Sequence, residues 1–170
     1  MKISPTYKMQ FKRRREGRTD YVNRLKLLYS KKLRLVVRRS LKYIRAQIVE
    51  FDKNGDKTLV AASSQELKNM GWKFSCDNLP AAYLTGLLIG KKAGKAGIKD
   101  VILDSGLYSS TKGNRVYGVV KGAIDGGLKI PVGEEILPSE ERIKGFHIAK
   151  YLGKFADLPK EFEKIKQKVG

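Results

Sequence analysis

The stretch YIRAQIVEF at 43–51, the turn containing Asn54-Gly55 and the TLVAASS that follows constrain the fold more than any other feature of the chain. Alternation sends Tyr43, Arg45, Gln47, Val49 and Phe51 to one face of a strand, and Ile44, Ala46, Ile48 and Glu50 to the other. Asn-Gly tolerates the positive backbone angles of a tight hairpin, so the two runs should pair antiparallel. RLVVRRS at 34–40 reads as a further strand just ahead of them, giving a three-strand antiparallel meander.

Around the meander the pattern becomes helical. Thr19 or Asp20 can cap a helix to about Tyr29, with Tyr21, Leu25 and Leu28 on one face and Arg24 and Lys26 elsewhere. Ser63 and Glu66 have capping-box spacing for a short helix through about Asn69, ended by Gly71. Asn78 and Pro80 open a longer helix, AAYLTGLLIGKKAGKAG, whose Ala81, Ala82, Gly86 and Gly90 should permit close packing on the sheet. DVILD at 100–104 has the pattern of a buried strand, running parallel to a neighbour through a helical crossover, and RVYGVVKGAIDGGL at 115–128 that of a second packing helix. After Pro131 the chain reads as an extension, helical from about Ser139 and again in DLPKEFEKIKQKV, with Asp157 as cap.

The expected class is therefore α/β, a mixed sheet of three-strand antiparallel meander plus one further strand, packed by helices. Its 170 residues suffice for one core. The expected division is a basic arm at 1–18, an α/β domain at 19–132 and a helical extension at 133–170.

Charge narrows the partner. Thirty-six Lys and Arg against 17 Asp and Glu leave +19, which repels itself unless a polyanion neutralises it. Residues 1–45 hold 16 basic and 2 acidic side chains, so +14 of the excess lies there. MKISPTYKMQFKRRREGR has no sustained periodicity and concentrates Lys12, Arg13, Arg14, Arg15 and Arg18, so an extended arm is expected, reaching about 60 Å at ~3.3–3.6 Å per residue. A solvated face and an arm for anionic membranes are the blander readings of such a run. No apolar run approaches the ~18 residues of a membrane span and the N-terminus lacks a signal peptide's apolar stretch, so a soluble, cytoplasmic protein is expected. Cys76 is the lone cysteine and reads as buried filler.

Catalytic patterns fare poorly. Gly86, Gly90, Lys91 and Lys92 have three residues between the glycines where a phosphate-binding P-loop has four, and Lys92 where Ser or Thr should hold magnesium. His147 has no second His or Cys ligand for a usual zinc site. Asp104, at the end of an apolar strand, could join Asp52, Asp56 or Asp125 in holding magnesium, which keeps a ribonuclease H-like nuclease as the alternative function. An Asp that caps a loop is the simpler reading.

Binding patterns are more coherent. Tyr21, Arg24, Arg38, Arg39, Tyr43, Arg45 and Gln47 fall on the first helix or first hairpin. Tyr43, Arg45 and Gln47 share a strand face, offering a ring for bases, a guanidinium for phosphate and an amide for base or ribose edges. The competing reading has Tyr43 covering the core edge and Arg45 snorkelling. Lys112, Asn114 and Arg115, with Thr111 and Gly113, form a loop ahead of a helix N-terminus that could hold phosphate or serve as a linker.

FKRRREGRTDYVNRLKLLYS, followed by RLVVRRS, YIRAQIVEF, KTLVAASSQEL, NLPAAYLTGLLIGKKAGKAG, DVILDSGLYSSTKGNRVYGVVKGAIDGGLKIP and GEEILPSEERIKG, resembles the archaeal and eukaryotic branch of the large-ribosomal-subunit protein L-eighteen family over nearly the whole chain. The resemblance implies a ribonuclease H-like α/β fold without its active site, no catalysis and no cofactor. It implies a structural component that binds 5S rRNA and seats it in the central protuberance beside 23S rRNA, next to a neighbouring 5S-binding ribosomal protein. By position it implies RNA contacts along Lys12 to Arg18, at Arg24, and at Arg38, Arg39, Arg45 and Gln47. Leu41, Lys42 and Tyr43 stand where many relatives have an Asn and a His, so the hairpin tip should meet RNA differently here.

Overall fold

The computed structural model describes residues 5–169; the first four residues of the basic arm and Gly170 of the expected extension lie outside the described residues. The elements run α1 (Lys12–Arg15), α2 (Tyr21–Tyr29), β1 (Leu33–Arg39), β2 (Ile44–Glu50), β3 (Lys57–Ser63), α3 (Glu66–Asn69), α4 (Leu79–Lys95), β4 (Val101–Asp104), α5 (Arg115–Asp125), α6 (Glu140–Lys144), α7 (Phe146–Tyr151) and α8 (Leu158–Val169). Among them the strands form one sheet in the order β3-β2-β1-β4. The meander is antiparallel and β4 runs parallel to β1, with Leu35 opposite Leu103, so the mixed sheet has the composition the sequence predicts.

Alternation decides the two faces. Leu35, Val37, Ile44, Ala46, Ile48 and Ala62 are buried together with Ala82 and Ile89 of α4 and Val116, Val119 and Val120 of α5. Arg34, Val36 and Arg38 of β1 point the other way, opposite Val49, Gln47 and Arg45 of β2. The arm and α2 lie against that second face.

Local chemistry sets the helix ends. The Asp20 carboxylate accepts from the backbone N–H groups of Val22 and Asn23 at 3.0 and 3.1 Å, which starts α2. Asn78 and Asn114 do the same for α4 and α5, accepting from Ala81 and Tyr117. Glu66 supplies half of the expected capping box, accepting from the Ser63 N–H at 3.0 Å.

Three departures have physical causes. The arm is not wholly extended: Lys12–Arg15 makes one helical turn, and Phe11 packs its ring 5.3 Å from that of Tyr21. Gly86 and Gly90 fit α4 against α5, not against the sheet. A Cβ at Gly86 would lie 2.0 Å from the Val119 carbonyl oxygen, and one at Gly122 of α5 would lie 2.0 Å from that of Tyr83. Helical periodicity announced small residues on α4 but not which neighbour they meet.

The third departure concerns residues 133–170, read as an extension. The expected helix after Ser139 is broken at Gly145, whose φ of +81° ends α6 in a left-handed turn. Leu158, Phe162 and Ile165 of α8 are each 1% exposed and complete a second core with Leu67, Trp72, Ala81, Tyr83 and Leu84. The segment is packed into the body of the protein.

The glycine seam makes a paired prediction. Ala is a better helix former than Gly by about 0.5–1 kcal/mol, and Gly94 on the exposed side of α4 has nothing within 4 Å of a built Cβ. Gly94→Ala should therefore raise the urea midpoint slightly. Gly122→Ala should lower stability by about 2–3 kcal/mol, because the helices must part to admit the methyl. Equal effects of the two substitutions in urea titrations would contradict the packing described.

Candidate RNA-binding surface

The second face of the sheet and the arm enclose a cleft built on a chain of ion pairs. The Asn54-Gly55 hairpin delivers Asp56 to the start of β3, where both carboxylate oxygens accept from the Arg24 guanidinium at 2.8 Å. Arg34, in β1 and 1% exposed, donates to Asp56 at 2.7 Å and to Asp104 at 3.0 Å. Arg38 reaches the other Asp104 oxygen at 3.3 Å and the Val37 and Asp104 carbonyls at 2.8 and 3.0 Å. The order Arg24–Asp56–Arg34–Asp104–Arg38 thus ties α2 to β1, β4 and the hairpin turn ahead of β3.

Burial alone would raise the pKa of Asp56, but hydrogen bonds and charge from Arg24 and Arg34 hold it below its ordinary 3.8. A carboxylate lowered in this way contributes stability that is present above the unfolded pKa and is lost as pH falls through the folded one. Thermal melting of the wild-type chain and of Asp56→Asn should therefore differ at about pH 5 and converge towards about pH 2. A constant difference across that range would place the pH dependence elsewhere.

Asp104 is occupied in a way that a metal ligand is not. Two guanidiniums hold its oxygens and the Gly106 N–H donates to Oδ1 at 2.9 Å, the loop-capping role. Of its suggested carboxylate partners, Asp56 is held by Arg24 and Arg34, and Asp125 accepts from Tyr83 and Lys121. A nuclease pair would need acids where this face supplies arginines.

The sequence-predicted residues separate into groups. Arg13, Arg18, Arg24, Arg38 and Gln47 line the cleft, and Tyr21 lies beside it. Arg13 donates to the Thr19 hydroxyl at 3.0 Å, and Arg18 pairs with Glu16 at 3.1 Å; Lys12, Arg14 and Arg15 are exposed. Arg45 is exposed directly opposite Arg38 in the ladder, and like charges facing across strands repel. Arg39 sits 4.9 Å over the Tyr108 ring, whose hydroxyl donates to its carbonyl at 2.8 Å. Tyr43 stays apart from Gln47: it packs against the second core, with the Lys68 ammonium 5.5 Å from its ring.

The loop at 111–115 has largely internal duties. The Gly113 N–H donates to the Ile136 carbonyl at 2.8 Å, the Asn114 oxygen caps α5, and Arg115 pairs with Asp77. The Lys112 side chain projects, 75% exposed, with Glu135 at 3.6 Å.

The sequence points to Asp56 only as a possible metal partner and not to Arg34, although both anchor the surface. The signal was present: in RLVVRRS the period of two puts Arg34 and Arg38 on one face, with an uncharged Val36 between them.

The family described as "Ribosomal large subunit proteins 60S L5, and 50S L18" matches residues 5–99 and 91–133. The chain is also similar to the large ribosomal subunit protein uL18 of Methanoregula boonei, at 52% identity over 165 residues, which span 97% of this chain and 95% of that protein.

Proposed function

Since the chain belongs to the family of ribosomal large subunit proteins 60S L5 and 50S L18, and is a structural constituent of that subunit, we propose that it binds 5S rRNA and helps attach it to 23S rRNA in the central protuberance. It works in the cytoplasm, within the ribosome. The observation that supports the RNA reading best is the charge left uncompensated on one surface. Arg45 is exposed opposite Arg38, whose charge Asp104 already offsets, and the two repel; Lys12, Arg14 and Arg15 are exposed on the arm. A polyanion resolves that repulsion, and phosphates that replace counterions on it are the natural one.

The RNA-contact set proposed is the arm residues Lys12, Arg13, Arg14, Arg15 and Arg18, then Tyr21, Arg24, Arg38, Arg39, Arg45 and Gln47. Lys112 is the outlying cation of the set. Tyr43, Asn114 and Arg115 act in it by holding local structure. The neighbouring 5S-binding protein of the large subunit is the proposed protein partner, and α6 to α8 offer a surface for it, with Phe146 and Tyr151 exposed on α7.

Filter binding to 5S rRNA and to an unrelated RNA of equal length, across a salt series, tests the reading. Preference for 5S rRNA should persist at moderate salt, while both affinities fall by roughly 0.7–0.9 log unit per log unit of salt for each phosphate contacted. Equal affinity for the two RNAs at moderate salt would remove the specific claim.

A further inference from the structure

We propose that the cleft between the arm and the sheet is a pocket for one unstacked nucleotide of RNA, with the base against the sheet and the phosphate towards the arm. The proposal rests on the RNA-binding reading above and adds a ligand and a place to it. The cavity measures about 260 Å³, just under the ~300–1,000 Å³ of ordinary small-molecule sites. A duplex cannot enter such a space, whereas a single base can.

The lining matches that ligand from floor to rim. Val36 and Val49 form an apolar floor on which a base can lie. The side-chain amides of Asn23 and Gln47 border it and make no hydrogen bond among the described residues, so each offers a donor and an acceptor to a base edge. Five arginines against three aspartates, Asp20, Asp56 and Asp104, leave the lining at +2, which suits a monoanionic phosphodiester. A bare phosphate would have no use for the floor or the amides.

A second observation points to a ligand independently. Arg34 lines the cleft at 1% exposure, and its Nε–H, also buried, has no hydrogen-bond partner among the described residues. An unsatisfied buried donor is costly, and an oxygen from a base or ribose entering the cleft would satisfy it.

Plugging the pocket without altering charge tests this on the full-length protein. Thr58→Trp places a bulky ring at the rim from β3, and Val36→Phe fills the floor; neither residue belongs to the ion-pair chain. Each variant, once its circular dichroism and melting match the wild type, should bind 5S rRNA about tenfold more weakly, with a salt slope lowered by no more than the ~0.7–0.9 that belongs to the one phosphate the cleft holds. One base protected from chemical modification in the wild-type complex should become reactive. Wild-type affinity and an unchanged footprint in both variants would overturn the proposal.

A second readout works on the unaltered protein and separates the pocket from the identity of the RNA. A short single-stranded oligoribonucleotide should shift the side-chain amide NMR signals of Asn23 and Gln47. If these signals move while 5S rRNA is not preferred over unrelated RNA, the pocket stands and the 5S reading falls. Signals that do not move under saturating oligonucleotide overturn the pocket, whatever the 5S result.

Discussion

Removing residues 1–18 should leave a folded domain that has lost most of its affinity for RNA. The arm carries Lys12, Arg13, Arg14, Arg15 and Arg18, and none of its described residues is buried: α1 has no buried residue and meets the body through contacts such as the Arg13–Thr19 hydrogen bond and the packing of Phe11 on Tyr21. Little folding energy is therefore at stake. If all five cations meet phosphates, the slope of log affinity against log salt should drop by about 3.5–4.5. Raising salt from about 50 to 200 mM would then shrink the advantage of the full chain by roughly a hundred- to five-hundred-fold. Filter binding at four or five salt concentrations measures this directly, and urea denaturation of the truncated chain checks the fold. Truncation that leaves the slope unchanged would assign the phosphate contacts to the sheet face and α2.

The contrast between what the sequence discloses and what it hides follows the range of the interactions. Strand alternation, the Asn54-Gly55 turn and the caps at Asp20 and Asn78 are local, and the corresponding elements form as expected. The place of α8 depends on Phe162 meeting Tyr83, rings 5.6 Å apart and far separated in sequence, so a short amphipathic helix looked like an appendage. The same holds for the seam of Gly86, Gly90, Gly118 and Gly122, whose meaning appears only when α4 and α5 touch. At the surface, charge composition located the arm and α2 but treated each arginine as free. Asp56 and Asp104 are scarce acids in a basic protein, and their pairing reserves Arg24, Arg34 and Arg38 for defined positions.

That reservation leads to the largest expected loss of stability. Arg34→Met should cost about 3–5 kcal/mol in urea denaturation, the usual consequence of removing one partner from a buried ion pair. The Asp104 side chain is 9% exposed, and without Arg34 its remaining cation is the more exposed Arg38 at 3.3 Å, beside the Gly106 N–H, while Asp56 keeps only Arg24. Arg24→Ala breaks a two-pronged contact at 2.8 Å yet should cost about 1 kcal/mol or less, because both side chains there are partly open to water. Burial, more than distance, sets the ranking. Methionine also fills the stem's volume, so the loss measures charge and hydrogen bonding more than a cavity. Adding Asp104→Leu to Arg34→Met should recover part of the stability, since a buried carboxylate is then no longer stranded. Recovery of folding would not bring full recovery of RNA binding, for Arg38 would lose its carboxylate partner and keep only the two backbone carbonyls. A neutral Arg34→Met would mean that water enters the cleft freely and solvates Asp104. The cleft would then be a wet groove, unable to hold its arginines in fixed positions for RNA.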